Sequence, residues 1–284
     1  MKLDRRRNAV RDDLADIRLE DTVSAPRYAT PRIGRIAAPI ASCRRRPAED
    51  APLDTEFLYG EPLDIFDSAD GWSWVQSGVD GYVGYVRDED IGALTSPTHR
   101  VTVPLALLFP SPSIKVPPLC RLPMGAWVEA VEACHVGGEH FHLLRNGGYI
   151  LDQHVAPSAE APDWVAVAEM FVGAPYYFGG KSWDGIDCSG LVQLALQMAG
   201  GTAPRDSDMQ EVELGQPLPL DPTGLRRGDL VFWKGHVGIM LDATHLLHAN
   251  GFHMMTSIEP LATTITRLEG KGLPATAMRR VDCA

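Results

Sequence analysis

Long apolar segments are missing from this chain of 284 residues. No stretch reaches the roughly 18 consecutive apolar residues that a membrane-spanning helix needs, so we predict no such helix. The N-terminal segment MKLDRRRNAVRDDLADIRLED is charged throughout. It lacks the apolar core of a secretory signal and has no cysteine for lipid attachment. Taken as complete, the chain is expected to be cytoplasmic, with no membrane partner.

Basic residues are also scarce. Lys and Arg number 26 against 37 Asp and Glu, which gives a formal net charge of −11. Binding to nucleic acid depends on clustered Lys and Arg that neutralise phosphates. The basic runs at residues 5–7 and 44–46 are short and are followed by acids. We expect both to be solvated surface and expect no nucleic-acid partner.

Cysteines are few, odd in number and lack any C-x-x-C spacing, so no disulfide framework is expected. Hydrophobic residues at 45% and charged residues at 22% are typical of a globular protein. The chain length predicts two or three domains. The five cysteines are Cys43, Cys120, Cys134, Cys188 and Cys283.

The first 38 residues predict a helix followed by a linker. Val10, Leu14 and Ile17 fall on one stripe of a helix over residues 8–21. Residues 22–38 contain Pro26 and Pro31 and are predicted to be a linker.

Short β-forming segments over residues 39–95 predict a small barrel. The turn pairs Asp70-Gly71 and Asp80-Gly81 between them are a strong hairpin signal. A weak repeat predicts a second barrel over residues 99–156. The motifs LYGE at 58–61 and GYVGYV at 81–86 resemble bacterial SH3-like domains, and the second copy resembles them more distantly.

The repeat also bears on a possible metal site in the second barrel. The His140-x-His142 pair aligns with Trp72-x-Trp74 of the first barrel. These histidines, with nearby Cys134, are therefore interpreted as ordinary strand residues, and no metal is expected.

Residues 160–284 combine helical segments with alternating strand-like segments, which predicts an α+β domain. Helices are expected over residues 161–172, with Asp163 as the N-cap, and over residues 188–199. The segments 229–241 and 246–250 alternate like strands.

The motif DCSGLV at 187–192 places Cys188 where the second helix begins. A helix N-terminus carries about half a positive charge and free N–H groups. These favour the nucleophilic thiolate and supply donors to an oxyanion. A cysteine at such a position is also commonly buried without a chemical role, so the motif alone does not decide.

Two histidines on neighbouring strands strengthen the catalytic interpretation. A turn centred on Asp242 would pair residues so that His236 lies opposite His248 on the same face. A base needs a partner that fixes its tautomer, and His248 is predicted to be that partner. Asn250 lies on the same face and is the alternative.

Six motifs follow one another within residues 160–284: PYYFGG at 175–180, DCSGLV at 187–192, PRDSDMQ at 204–210, RGDLVFW at 227–233, GHVGI at 235–239 and LHAN at 247–250. In this order they resemble the NlpC-type cell-wall cysteine peptidases. The resemblance implies a papain-like fold, with helices packed on an antiparallel sheet, and no cofactor. It implies Cys188 as nucleophile, His236 as base, His248 as its orienting partner and Tyr176 as an oxyanion donor.

With two barrels in front, the chain is similar to the γ-D-glutamyl-L-diamino acid endopeptidases. The resemblance implies cleavage of murein peptides after γ-D-Glu, a requirement for a free N-terminal L-Ala, and a role in peptidoglycan recycling or turnover. In such relatives the first barrel contributes a glutamate and a tyrosine to the substrate's N-terminal end. The implied substrate-binding residues are Asp206, Ser207, Ser189, Asp187, Glu56 and Tyr82, with Glu61 and Tyr85 as alternatives for the barrel pair.

Two other functions stay open from the sequence. One is a non-catalytic protein that binds wall peptides, and the other is an amidase or acyltransferase on the same fold. The intact set of Cys188, His236 and His248 favours a hydrolase. The oligomeric state and the preferred diamino acid are not predicted.

Overall fold

The computed structural model describes residues 3–157, 161 and 163–281. The chain divides into two compact units, residues 1–158 and residues 159–284. Cys283 lies outside the described residues. Among those that are described, no helix has the length and apolar character needed to cross a membrane.

The helix predicted over residues 8–21 is wrong. The segment instead holds β1 (Ala15–Asp16), which pairs in parallel with β2 (Tyr28–Ala29), and a 3-10 turn. Leu14 is buried against Phe66 and Trp74 of the first barrel. Packing against the barrel overrides the weak local helix preference, because tertiary contacts outweigh propensity in short segments.

The first barrel is a sheet of seven strands whose order is β5-β4-β8-β7-β6-β3-β9. It begins earlier than predicted, since β3 lies within the expected linker. The hairpin at Asp70-Gly71 is confirmed: both residues have positive φ, and Ala69 pairs with Trp72. The strands are β3 (Arg32–Ile36), β4 (Ile40–Arg44), β5 (Leu53–Leu58), β6 (Pro62–Ala69), β7 (Trp72–Ser77), β8 (Val83–Arg87) and β9 (Ile91–Gly92).

Residues 99–156 form eight short strands around a separate hydrophobic core. The order of elements is the same as in the first barrel: a hairpin, then a strand, a 3-10 turn and a short final strand. In each barrel the final strand pairs with the first strand of that barrel. The strands are β10 (His99–Val101), β11 (Leu105–Leu108), β12 (Cys120–Pro123), β13 (Trp127–Val128), β14 (Ala130–Val136), β15 (Glu139–Leu144), β16 (Tyr149–Leu151) and β17 (Val155–Ala156).

Gly60 lies where the two barrels meet. Its φ is +78°, and a Cβ there would lie 2.2 Å from the carbonyl oxygen of Trp127. Only glycine tolerates both the left-handed backbone and this close approach. The amide of Trp127 in turn donates to the carbonyl of Tyr59.

The second unit packs helices on a six-stranded antiparallel sheet of order β20-β25-β21-β22-β23-β24, so the predicted α+β papain-like architecture is confirmed. A two-stranded hairpin, β18 (Lys181–Ser182) and β19 (Gly185–Ile186), precedes the second helix. The helices are α1 (Trp164–Glu169), α2 (Cys188–Met198), α3 (Ser207–Glu213) and α4 (Leu261–Glu269). The strands are β20 (Gln216–Leu218), β21 (Asp229–Trp233), β22 (His236–Met240), β23 (His245–Asn250), β24 (Met255–Pro260) and β25 (Ala275–Arg280).

Helix α2 is buried along its whole length. It packs on β22 and β23, while Leu261 of α4 joins a cluster with Met240 and Leu246 of the same strands. Both faces of the central strands are therefore covered by helices. Cys188, the first residue of α2, is buried from solvent. Helix α1 is shorter than the predicted 161–172, but Asp163 caps it as expected.

Candidate active site

Cys188 is the first residue of α2, and Asp187 is the residue that caps this helix. The Asp187 carboxylate accepts hydrogen bonds from the amide of Gly190 at 2.7 Å and from the amide of Gly179 at 2.8 Å. These bonds satisfy helix amides and tie the glycine-rich segment to the helix start. They hold the backbone of Cys188 in place.

Arg205 forms a buried ion pair with Asp187, and its side chain is 1% exposed. The guanidinium donates to both carboxylate oxygens, at 2.9 and 2.8 Å, and to the hydroxyl of Ser189 at 2.9 Å. Arg205 lies in the PRDSDMQ motif, but no role for it was predicted from the sequence. The structure makes it the residue that neutralises the buried carboxylate next to the nucleophile.

The predicted preference of Cys188 for the thiolate is not found in the resting site. Burial raises the pKa of the Cys188 thiol to about 12, and Asp187 raises it further. Hydrogen bonds from the backbone amides of Val237 and Ser189, together with Arg205, act in the opposite direction. Desolvation therefore outweighs the helix N-terminus, because the side chain is only 6% exposed.

The contact from Val237 connects the two halves of the site. Val237 directly follows His236 at the start of β22, and its amide reaches the sulfur of Cys188. The strand that carries the first histidine therefore lies against the helix that carries the nucleophile.

His236 and His248 are in contact, but the predicted register is wrong by one residue in the turn. The pairs Ile239↔Leu247 and Met240↔Leu246 centre the ladder on Ala243 rather than on Asp242. The Asp242 carboxylate accepts from the amides of Thr244 and His245, which makes Asp242 the first residue of the turn. His236 and His248 are thus diagonal neighbours, with Nε2 of His236 2.8 Å from Nδ1 of His248.

Both imidazoles are neutral at ordinary pH. Burial lowers the pKa of His236 to about 3, and the neighbouring His248 adds to the effect. Burial lowers the pKa of His248 to about 4, although a hydrogen bond to Glu259 opposes the shift. The resting site thus pairs a neutral thiol with a neutral base.

Asn250, the alternative partner of His236, has another role. Its amide nitrogen donates to the hydroxyl of Ser257 at 2.9 Å, and its oxygen accepts from the amides of Phe252 and His253. It stabilises the turn after β23, while the observed hydrogen bond with His236 belongs to His248.

Tyr176 lies near the nucleophile. Burial raises the pKa of its hydroxyl to about 12, and the charges of Cys188 and Asp187 contribute to the shift. The phenol therefore stays protonated and is able to donate a hydrogen bond. A protonated donor in the neighbourhood of Cys188 is suited to stabilise a developing oxyanion.

The segment with Asp206 and Ser207 begins α3 and is fastened to the helix that carries Cys188. The side-chain amide of Gln210 donates to the carbonyl oxygen of Ser189 at 2.9 Å. Asp206 precedes α3, and its side chain makes no capping bond to that helix. Contact of Asp206, Ser207, Asp187 and Ser189 with a substrate stays a prediction.

The barrel residues proposed for substrate binding belong to the first unit. Glu56 lies on β5 opposite Ser42 and is 7% exposed. Tyr82 is 4% exposed and packs in the core of the first barrel. Of the alternatives, Glu61 is 2% exposed, and Tyr85 lies half-buried on β8. Their role in holding a peptide stays a prediction.

Glu259 and Arg267 are site residues that were not predicted from the sequence. Oε1 of Glu259 lies 2.7 Å from Nε2 of His248, and the guanidinium of Arg267 donates to both of its oxygens. A signal was available: β24 pairs beside β23 with His248 opposite Ser257, so Glu259 falls on the same face two residues later.

Comparisons with known proteins agree with this geometry. The NlpC/P60 family matches residues 173–268, and the family described as the bacterial dipeptidyl-peptidase Sh3 domain matches residues 43–91. The SH3 assignment of the second barrel, over residues 99–156, stays a prediction.

Several curated proteins are similar over most of the chain. A γ-D-glutamyl-L-lysine dipeptidyl-peptidase of Bacillus cereus is 27% identical over 74% of this chain and 71% of its own length. Dipeptidyl-peptidase 6 of Lysinibacillus sphaericus is 27% identical over 76% of this chain and 86% of its own. The crystal structure of an NlpC/P60 family protein from Bacillus cereus covers 88% of this chain and 99% of its own, with a TM-score of 0.73 and 22% identity. This last likeness shows a shared fold.

Proposed function

Because the chain carries an NlpC/P60 cysteine peptidase domain and a bacterial SH3 domain, we propose that it hydrolyses the bond between γ-D-glutamate and the L-diamino acid of murein peptides. We propose further that the peptide must have a free N-terminal L-Ala. The observation that carries the proposal is the start of α2, where Cys188 lies against the strand of His236, and His236 contacts His248.

The chemistry follows from the neutral resting pair. His236 takes the proton of the Cys188 thiol as the sulfur attacks the γ-carbonyl carbon of the glutamyl residue. Proton transfer turns two poorly solvated neutral groups into an ion pair whose charges stabilise each other. The hydroxyl of Tyr176 donates to the carbonyl oxygen as it becomes negative.

The second half of the reaction returns the enzyme to its starting state. His236 gives its proton to the departing amine of the diamino acid, which leaves a thioester between Cys188 and the glutamyl carbonyl. A water molecule then loses a proton to His236 and attacks the thioester. The sulfur takes the proton back, and the dipeptide is released with a new carboxylate.

Charge complementarity supports the requirement for a free amine. The α-amine of L-Ala is a cation near neutral pH. Asp206 directly precedes α3, the helix that Gln210 ties to Ser189, and Ser207 is the first residue of that helix. Charge-assisted hydrogen bonds from an ammonium to such a carboxylate each contribute about 1.5–3 kcal/mol.

The names of the relatives support the bond that is cleaved, since two of them are described as γ-D-glutamyl-L-lysine dipeptidyl-peptidases. A peptide with a free N-terminal L-Ala arises only after release from the sugar. The proposal therefore includes a role in recycling murein peptides in the cytoplasm, which immunoblotting of fractionated cells tests.

Mass spectrometry of reaction products tests the activity. Purified protein is incubated with L-Ala-γ-D-Glu-L-Lys and with the corresponding diaminopimelate peptide. We expect L-Ala-γ-D-Glu and the free diamino acid, and no products with Cys188→Ala. Release of free alanine, or transfer of the glutamyl group to another amine, would assign the site to a different reaction.

A further inference from the structure

A chain of hydrogen bonds continues beyond the two histidines to a carboxylate. Nε2 of His236 contacts Nδ1 of His248 at 2.8 Å, and Nε2 of His248 contacts Oε1 of Glu259 at 2.7 Å. His248 is 1% exposed and Glu259 is 8% exposed. The chain therefore runs through the protein interior, where water does not compete for its hydrogen bonds.

Arg267 of α4 holds the carboxylate at the end of this chain. One guanidinium nitrogen donates to Oε2 of Glu259 at 2.7 Å and another to Oε1 at 2.5 Å. The guanidinium also stacks on the ring of Phe252, 4.3 Å from its centroid. A two-point contact of this kind fixes both the position and the plane of the carboxylate.

Glu259 is ionised at every pH at which the enzyme would work. Burial alone would raise its pKa, but the hydrogen bonds from Arg267 and His248 outweigh it and lower the pKa to about 2. An ionised carboxylate has no proton to donate and only accepts hydrogen bonds. The hydrogen between Glu259 and His248 must therefore belong to Nε2 of His248.

The tautomers of both imidazoles follow from that one hydrogen. A neutral imidazole carries a single N–H, so Nδ1 of His248 is an acceptor. The hydrogen between the two rings then belongs to Nε2 of His236. Nδ1 of His236 is left without a hydrogen, which makes it the nitrogen that can accept the proton of Cys188.

We propose that Glu259, held by Arg267, is a positioning residue that fixes the tautomers of His248 and His236 so that Nδ1 of His236 is always the free base. The reverse tautomer would place a hydrogen on Nδ1 of His236 and block the step. The ionised carboxylate also favours the imidazolium that forms when the thiol is deprotonated. The proposal rests on the peptidase activity of this domain but not on which bond is cleaved.

Nitrogen NMR of the full-length protein labelled with 15N-histidine tests the proposal without any substrate. Ring nitrogens with and without a hydrogen have well-separated 15N shifts, and the signals of His236 and His248 are assigned by replacing each in turn. At pH 8 we expect the Nε2–H form of both. A Nδ1–H form of His236 in the wild-type protein would overturn the proposal.

Two variants of Glu259 separate positioning from simple stability. Glu259→Leu removes the acceptor, and we expect mixed tautomers with at least about a tenfold loss of kcat and KM within about twofold. Glu259→Gln keeps an acceptor that Arg267 can orient, so we expect it to retain the tautomers and lose less activity. If Glu259→Leu does not fold, the tautomers of the wild-type protein and of Glu259→Gln still test the proposal.

The matched control removes a carboxylate from the same helix region. Glu269 is exposed at the end of α4, and Glu269→Gln is expected to leave kcat within about twofold of wild type. Folding of each variant is checked by circular dichroism. Equal kcat for Glu259→Leu, Glu269→Gln and wild type would refute the positioning role, whichever peptide bond the enzyme cleaves.

Discussion

His236 and His248 are hydrogen-bonded at 2.8 Å although they do not pair directly across the β22–β23 ladder. The diagonal arrangement lets His248 turn its other nitrogen towards Glu259 on the next strand. The register therefore determines that the two rings act in series, from Glu259 to the base.

The reactivity of Cys188 should depend on His236. Cys188 is buried with a pKa of about 12, whereas Cys120 and Cys134 are half-buried. We expect iodoacetamide to label Cys188 first at neutral pH, because His236, on the strand that lies against α2, can accept its proton. The measurement is peptide mapping of the adducts over time.

The control for this labelling is His236→Ala, which should slow the modification of Cys188 and leave that of Cys120 and Cys134 unchanged. Preferential labelling of Cys43 or Cys283, with Cys188 untouched, would remove Cys188 as the nucleophile. Cys188→Ala should abolish turnover and leave the fold intact.

Replacing His236 should reduce activity more than replacing His248. His236→Ala is expected to be nearly as damaging as Cys188→Ala, and the double variant no worse, since nucleophile and base act as a unit. His248→Ala should cost less, and His248→Gln or His248→Asn less still, because an amide can orient the base. Steady-state kinetics on the tripeptide measures this, and wild-type activity in His248→Ala would exclude His248 from the site.

Removing the guanidinium of Arg205 should destabilise the second unit. Arg205→Met leaves the Asp187 carboxylate buried without its cation, and breaking such a pair costs about 3–5 kcal/mol. The matched control is Arg227→Met, whose ion pairs with Asp163 and Glu169 lie at the surface and contribute at most about 1 kcal/mol. Urea unfolding compares the two, and similar losses would contradict the structural role of Arg205.

Stability should fall as the pH drops from 6.5 towards 4. The folded-state pKa values of His236 and His248 are about 3 and about 4, both below the ordinary value of 6.5. In this interval both histidines are protonated in the unfolded chain but stay neutral in the folded protein. Each histidine therefore lowers the free energy of unfolding by up to about 1.4 kcal/mol per pH unit. Below pH 4, His248 adds no further loss.

The pH dependence is measured by urea unfolding between pH 4 and 8. Its control is the double variant His236→Gln/His248→Gln, whose stability should change less over the same interval. A slope equal to that of wild type would show that the two rings are not buried in the neutral form.

Blocking the N-terminus of the substrate should slow cleavage. N-acetylation removes the cation that Asp206 is proposed to hold, and a loss of roughly 3 kcal/mol in the transition state corresponds to at least about a hundredfold in kcat/KM. Asp206→Asn should reduce the preference for the free amine, and Asp208→Asn, exposed on α3, should retain it. Equal rates on both peptides would contradict the requirement for a free N-terminal amine.

Local sequence determined the features that depend on neighbouring residues. Aspartate is a preferred residue directly before a helix, so Asp163 indicated the start of α1, and it does cap that helix. Side chains alternate along a strand with a period of two. The faces of His236 and His248 were therefore predicted correctly even though the turn is displaced by one residue.

Only the tertiary structure decided what depends on distant parts of the chain. Burial of Leu14 against Phe66 and Trp74 replaced a predicted helix by a short strand. Burial of α2 on the sheet reversed the expected ionisation of Cys188. Glu259 contacts His248 from the strand that follows it in the chain, and Arg267 of α4 donates to Glu259. Desolvation and long-range contacts arise only when separate segments pack together, so no local window of sequence contains them.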